Sequence, residues 1–144
     1  MAASAPTKAP RIFISYSHKD RKVKERLVTH LNVPAADVWD DSLIKPGDDW
    51  FTEIERAMNR ADVAILLISA DFLTSRFILD KEVPVLLERR QSEGLLVYPI
   101  LVEDCAWQTV EWLKKMQIRM WDGKPLPSGR AREEALASIS TVLG

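Results

Sequence analysis

The feature that most constrains the fold of this chain is the uninterrupted apolar run VAILLI, residues 63–68, between Asp62 and Ser69. A run of this length without a charge is typical of a central strand that is covered on both faces. The apolar runs RIFIS and LLVYPILV resemble it, and stretches with helical spacing separate the three. Strand and helix alternate about five times, which predicts an α/β domain with a parallel sheet of about five strands and helices on both faces.

The remaining elements are predicted from periodicity and from turn residues. Besides 63–68, strands are expected at RIFIS, ADVWDD and LLVYPILV, with a weak fifth strand at IRMW, residues 118–121. Helices are expected over 20–31, after a cap at Asp48 or Asp49, over 70–92 and at REEALASISTVL. Pro84 should kink the third of these helices or divide it in two.

Composition limits the classes of function. The chain has 144 residues, 47% of them hydrophobic, and a net charge of −1, which suits one domain with a core and gives no general attraction to nucleic acid or membrane. We expect a disordered leader at residues 1–10 and a domain at 11–144. No apolar run suits a membrane span or an export signal. The single cysteine, Cys105, cannot form an internal disulfide, which predicts a reducing, cytoplasmic setting. One cysteine and two histidines without paired spacing predict that there is no metal site.

Polar residues follow the predicted strands at the edge where parallel sheets bind ligands. These are SYSHKD (Ser15–Asp20) after the first strand, WDD after the second and SADF after the third. Ser17 or Asp20 could simply cap the next helix, and that role is compatible with facing a ligand. No glycine-rich phosphate loop occurs, which disfavours a conventional nucleotide site.

Two acidic features allow more than one interpretation. The pair Asp40 and Asp41 is similar to the acidic pocket of a phosphate-accepting receiver domain. A receiver also needs an acceptor aspartate at the end of its central strand and a lysine after a later strand. Here the central strand ends in Ile68-Ser69 and YPILVED offers no lysine, which disfavours a receiver. Glu82 lies among apolar residues of an amphipathic helix. It is either solvated, as such glutamates usually are, or turned toward a cleft by the break at Pro84.

Four stretches in order resemble the Toll/interleukin-1 receptor (TIR) domain, of the kind common in bacteria. They are RIFISYSHKD, DVWDDSLIKPGDDW, ADVAILLIS and SADFLTSRFILDKE. The resemblance covers about Arg11 to Cys105, with a weaker tail to Leu143, and it implies a flavodoxin-like sheet. Some members of the family are adaptors that assemble with other TIR domains. Others cleave NAD⁺ at the nicotinamide–ribose bond, giving nicotinamide and ADP-ribose or a cyclic form of it.

The resemblance also implies a set of site residues. The enzymes of the family carry Trp-x-x-x-Glu after a serine, and here Glu82 matches the catalytic glutamate downstream of Ser75. The aromatic residue differs, because Phe77 is five residues before Glu82, so the ring comes from Phe77, Trp50 or Trp39. The other substrate-binding residues implied are Tyr16, Ser17 and His18 in the cleft, and Asp40 or Asp41, Ile44 and Lys45 along a covering loop.

Three functions follow as alternatives. The first is an NAD⁺ hydrolase in bacterial defence or signalling, with NAD⁺ as substrate, no cofactor, and activation by association with other TIR domains. A fused sensor domain would fit this interpretation. Leu43 and Ile44, in the loop SLIKPGDD, are either a partner surface or part of the core. The second function is a non-catalytic TIR–TIR scaffold, and the third is an enzyme like the nucleoside deoxyribosyltransferases.

Overall fold

The computed structural model describes residues 10–33 and 36–143, and these form an α/β fold around one parallel sheet. Within these ranges the strands are β1 (Arg11–Ser15), β2 (Asp37–Trp39), β3 (Val63–Ile68) and β4 (Leu96–Leu101). The α-helices are α1 (Arg21–Asn32), α2 (Trp50–Arg60), α3 (Ala70–Leu73), α4 (Val83–Glu93), α5 (Glu111–Lys114) and α6 (Gly129–Leu143). Short 3₁₀ turns cover His18–Asp20, Asp41–Leu43 and Trp107–Thr109, and a π turn covers Ile78–Glu82.

The sheet has the order β2-β1-β3-β4, and every neighbouring pair of strands is parallel. All six residues of β3 are buried, as the apolar run predicts. The alternation of side chains along β1 separates two cores: Ile12 and Ile14 pack with residues of α1 and α6, and Phe13 packs with residues of α2 and α4. Helices therefore cover both faces, and the predicted fold class is confirmed.

The prediction of a fifth strand at IRMW is wrong, because the pairing there is too short to form a strand. Within the described residues, IRMW forms a single parallel bridge, between Ile100 and Arg119, rather than a strand. The chain turns directly afterwards, because Asp122 and Gly123 both have positive φ and Trp121 pairs back to Lys124. Pairing along β4 thus stops after one residue.

The break in the predicted helix 70–92 lies earlier than Pro84. Helix α3 ends at Leu73, and the chain resumes helical form after Ser75, whose hydroxyl accepts a hydrogen bond from the backbone N–H of Ile78. Pro84 lies in the first turn of α4, where its missing N–H is tolerated. The turn before it widens to a π turn, in which the N–H of Val83 donates to the carbonyl of Ile78.

Several other expectations can be placed. Asp49 caps α2 by accepting a hydrogen bond from the Thr52 N–H, so of the two predicted caps it is the one used. The predicted leader lies outside the described residues except for Pro10. None of the helices within the described ranges is long and apolar enough to cross a bilayer.

Candidate functional site

A cleft of about 700 Å³ opens at the carboxyl end of β1, within the range of about 300–1,000 Å³ that is usual for ligand pockets. It lies between the segment after β1, the loop after β2, the start of α2 and the π turn. Its lining residues are Tyr16, Ser17, His18, Lys19, Asp41, Ile44, Trp50, Ile54, Ser75, Phe77, Ile78 and Glu82. This is the edge at which parallel sheets bind ligands.

Glu82 is held at this cleft by a hydrogen bond from β1. The hydroxyl of Ser15 donates to Glu82 Oε1 at 2.6 Å, and both residues are buried, at 1% and 8% exposure. The position of Ser15 follows from the strand period: it shares a face of β1 with Phe13, the face that α4 and the π turn cover. The glutamate therefore points toward the sheet and not toward bulk solvent.

Burial controls the protonation of Glu82. The pKa of Glu82 is raised to about 7, chiefly by desolvation and also by the Asp41 carboxylate, while the Ser15 hydrogen bond and His18 act in the opposite direction. A carboxyl group with a pKa near neutrality can exist in both protonation states at physiological pH. Carboxyl groups tuned in this way are typical of active sites.

Asp41 joins two residues that follow β1. The phenol of Tyr16 donates to Asp41 Oδ1 at 2.6 Å, and His18 Nε2 lies 2.5 Å from Asp41 Oδ2. Burial opposes the ionisation of Asp41, but the hydrogen bonds from His18 and Tyr16 outweigh it and lower its pKa. Burial and the bond to Asp41 raise the pKa of Tyr16 far above its usual range, so the phenol stays a neutral donor.

Aromatic side chains form the opposite wall of the cleft. The rings of Trp50 and Phe77 are 5.1 Å apart and tilted by 50°, and Phe51 packs edge-on against Phe77. Trp50 is 53% exposed, so much of its ring is open to a ligand or to solvent. The π turn closes its hydrogen bonds over five residues, and this places Phe77 and Glu82 on the same side of the helix.

A model of the TIR domain family matches residues 12–137. This chain is a TIR domain. The four sequence stretches that resemble the family lie mostly within the match, and the family assignment made from them is confirmed.

The TIR domain is also similar to two individual proteins. It is 30% identical over 138 residues to a Sinorhizobium fredii protein described as uncharacterized protein y4lF, covering 93% of this chain and 42% of that protein. The chain thus spans less than half the length of this curated relative. The crystal structure of the TIR domain of the Toll-related receptor TRR-2 from Hydra magnipapillata superposes with a TM-score of 0.59. That match has 22% identity and covers 80% of this chain and 86% of the other, which supports the same fold.

Most of the site residues predicted for this TIR domain meet at the cleft. Glu82 lies there with Tyr16, Ser17, His18, Asp41, Ile44, Trp50 and Phe77. Sequence reasoning included Ser15 and Lys19 only within the polar segment SYSHKD and gave neither a role, and it did not place Ile54 at the site. The signal for Ser15 is that a serine which ends a buried strand at the ligand-binding edge is a candidate polar contact.

Three predicted residues lie elsewhere. Asp40 is buried and pairs with Lys24, its Oδ1 lying 3.2 Å from the lysine Nζ, so the aspartate that reaches the cleft is Asp41. Trp39 stacks on Phe13 at 5.6 Å and lines a separate groove of about 520 Å³ at the amino ends of the strands. Lys45 is exposed on the loop and does not line the cleft. Among the described residues, no group of three His, Cys, Asp or Glu side chains is arranged to hold a metal ion.

Proposed function

We propose that this TIR domain cleaves NAD⁺ at the nicotinamide–ribose bond, with Glu82 as the catalytic carboxylate. The observation that carries the proposal is the placement of Glu82. Its carboxyl group lies in the same cleft as Tyr16, Ser17 and His18, with Phe77 and Trp50 on the facing wall. A cleft with a tuned carboxyl, polar donors and aromatic rings suits a substrate composed of ribose and planar bases.

The reaction needs little beyond such a carboxylate. The glycosidic bond breaks and nicotinamide takes the bonding electron pair, which neutralises its ring and removes the need for a general acid. The ribosyl group is left as an oxocarbenium-like cation, which the carboxylate of Glu82 stabilises. Water then attacks the anomeric carbon and loses a proton, and a carboxylate with a pKa of about 7 can accept it.

The other residues of the cleft have roles that match the substrate. Phe77 and Trp50 offer ring faces for the bases. Tyr16 and His18 hold Asp41 at the cleft, while Lys19 adds a cationic side chain that can approach the pyrophosphate. No separate cofactor enters the proposal. The proposed setting of the reaction is the cytoplasm.

Association with further TIR domains belongs to the same proposal. As a TIR domain, the chain belongs to a family of signalling and TIR–TIR interaction modules. Leu43 is 53% exposed in the loop after β2, whereas its neighbour Ile44 lines the cleft. We propose that a second copy covers Leu43 and that this contact steadies Ile44, so that assembly activates cleavage in a bacterial defence or signalling pathway. A fused sensor domain would supply the trigger.

A non-catalytic interaction module is the second candidate, and the exposed Leu43 favours it equally. The test is nicotinamide release from NAD⁺ at high protein concentration, measured together with the assembly state. Wild-type protein should release nicotinamide, and Glu82→Gln and Glu82→Ala should abolish the release. Glu88→Gln is the matched control, because Glu88 is an exposed glutamate of α4 that does not line the cleft.

The contrary outcomes separate the alternatives. Assembled wild-type protein that releases no nicotinamide, or Glu82 variants as active as wild type, would overturn the enzymatic proposal and leave the scaffold. Base exchange on deoxynucleosides without cleavage of NAD⁺ would indicate the third function, that of a deoxyribosyltransferase.

A further inference from the structure

The contact between Ser15 and Glu82 gives the two oxygens of the Glu82 carboxyl group different surroundings. Oε1 accepts the Ser15 hydroxyl at 2.6 Å. Oε2 accepts no hydrogen bond from the described residues. Every buried side-chain nitrogen or oxygen atom among these residues has a hydrogen-bond partner, so an atom without one is open to solvent, and this applies to Oε2. Since Glu82 lines the cleft, Oε2 is the oxygen that remains available to a ligand there.

We propose that Ser15 is a positioning residue for Glu82: it holds Oε1 from within the sheet and leaves Oε2 free for the substrate ribose. This inference rests on the proposed function for the identity of the substrate only. Ser15 itself is 1% exposed and does not line the cleft, so it acts through Glu82 and not by touching the ligand.

The contact also bears on the charge of the carboxyl group. A hydroxyl that donates to a carboxylate favours the ionised form, which opposes the effect of burial. The charged groups nearest Glu82 from the other elements act in both directions, since Asp41 disfavours its ionisation and His18 favours it. Asp41 and His18 are hydrogen-bonded to each other, whereas the hydroxyl of Ser15 donates its hydrogen bond to Glu82.

The first measurement follows the pKa of Glu82 directly, without any reaction. Protein labelled with ¹³C at glutamate carboxyls is titrated by NMR, and the Glu82 signal is assigned by its absence in Glu82→Gln. Ser15→Ala should raise the pKa of Glu82 by about one unit, because it removes a hydrogen bond to a charged group. Ser15→Thr, which keeps the hydroxyl, should restore the wild-type value.

The second measurement is the pH dependence of kcat/KM for nicotinamide release, which reports the free enzyme. With a pKa raised by about one unit, Ser15→Ala should show about a fivefold lower kcat/KM at pH 7, and the deficit should shrink as pH rises. If wild-type protein releases no nicotinamide, the proposed function fails while the NMR titration still decides the role of Ser15.

Ser69→Ala is the matched control. Ser69 is a fully buried serine at the end of β3 whose hydroxyl donates to a different carboxylate, Asp20 Oδ2, at 2.5 Å. It should leave the pKa of Glu82 unchanged. If Ser15→Ala does not fold, Ser15→Cys keeps the size with a weaker donor and should raise the pKa in the same direction. An unchanged pKa of Glu82 in Ser15→Ala and Ser15→Cys, or an equal shift in Ser69→Ala, would overturn the proposal.

Discussion

Phe77 and Glu82 are five residues apart in the chain and line the same cleft, because the helix between them makes a π turn. In a regular α-helix, residues four apart share a face more closely than residues five apart. The resemblance to the TIR enzymes implies an aromatic residue four before the glutamate, and that position holds Ile78, which is buried at 4% exposure. The wider turn offsets the extra residue and brings Phe77 to the cleft, and we propose that Phe77 takes the aromatic position of the motif.

Substitution of Phe77 tests this assignment. Phe77→Ala should lower kcat/KM for nicotinamide release by about 5- to 150-fold, because stacking of a base on an aromatic ring contributes roughly 1–3 kcal/mol. Phe77→Trp should retain activity. Leu79→Ala, in the same turn but outside the cleft, is the control, and an effect as large as that of Phe77→Ala would contradict the assignment.

The raised pKa of Glu82 predicts how stability depends on pH. In the unfolded chain the pKa of this group is near 4.5, and in the folded protein it is about 7, so the folded state binds the proton more tightly. The contribution of Glu82 to stability is therefore fully present below pH 4.5 and is lost as pH rises through 7, by up to roughly 3 kcal/mol.

Glu82→Gln removes that dependence and isolates it from the other titrating groups. The difference in free energy of unfolding between Glu82→Gln and wild type, measured with urea at pH 5 and pH 8, should favour the variant more strongly at pH 8. A difference that does not change with pH would show that the folded glutamate titrates normally.

From the buried pair of Lys24 and Asp40 we expect that removing one partner destabilises the protein more than replacing both. Both side chains are 6% exposed, and Asp40 also accepts the N–H of Ser42. Lys24→Met should cost about 3–5 kcal/mol in urea unfolding, because it leaves a buried carboxylate without its counter-ion. The double variant Lys24→Met, Asp40→Asn should lose much less.

The control for this pair is Lys114→Met. Lys114 pairs with Glu111 at the surface, where the two side chains are 52% and 72% exposed, and its loss should cost less than about 1 kcal/mol. Equal losses for Lys24→Met and for the double variant would contradict the argument from burial.

The exposure of Leu43 leads to a prediction about self-association of the domain. Leu43→Glu should weaken self-association, measured by sedimentation across concentration, because it places a charge on an exposed apolar residue of the proposed contact. The fold should be unchanged by circular dichroism. Val142→Glu is the matched control on α6, since Val142 is 69% exposed and belongs to no proposed contact. Equal weakening by both variants would argue against a specific role for the loop.

Much of the fold was predictable because its signals are local. The charge-free run of β3, the helical spacing around Leu27 in α1 and the cap at Asp49 depend on residues close in sequence. The extent of the weak strand at IRMW was predicted wrongly, although the turn at Asp122 and Gly123, which ends its pairing after Arg119, is also close in sequence. The π turn lies directly before Pro84, and the residues on either side of its wide hydrogen bond, Ile78 and Val83, pack in one core.

The amino-acid sequence by itself determined the α/β class, the family resemblance and the choice of Glu82, because these depend on residue types in order along the chain. Only the tertiary structure decided which side chains meet. It placed Asp41 and not Asp40 in the cleft, and it joined Ser15 to a glutamate 67 residues away. The physical reason is that a strand sends successive side chains to opposite faces, and only the packed helices define what lies on each face.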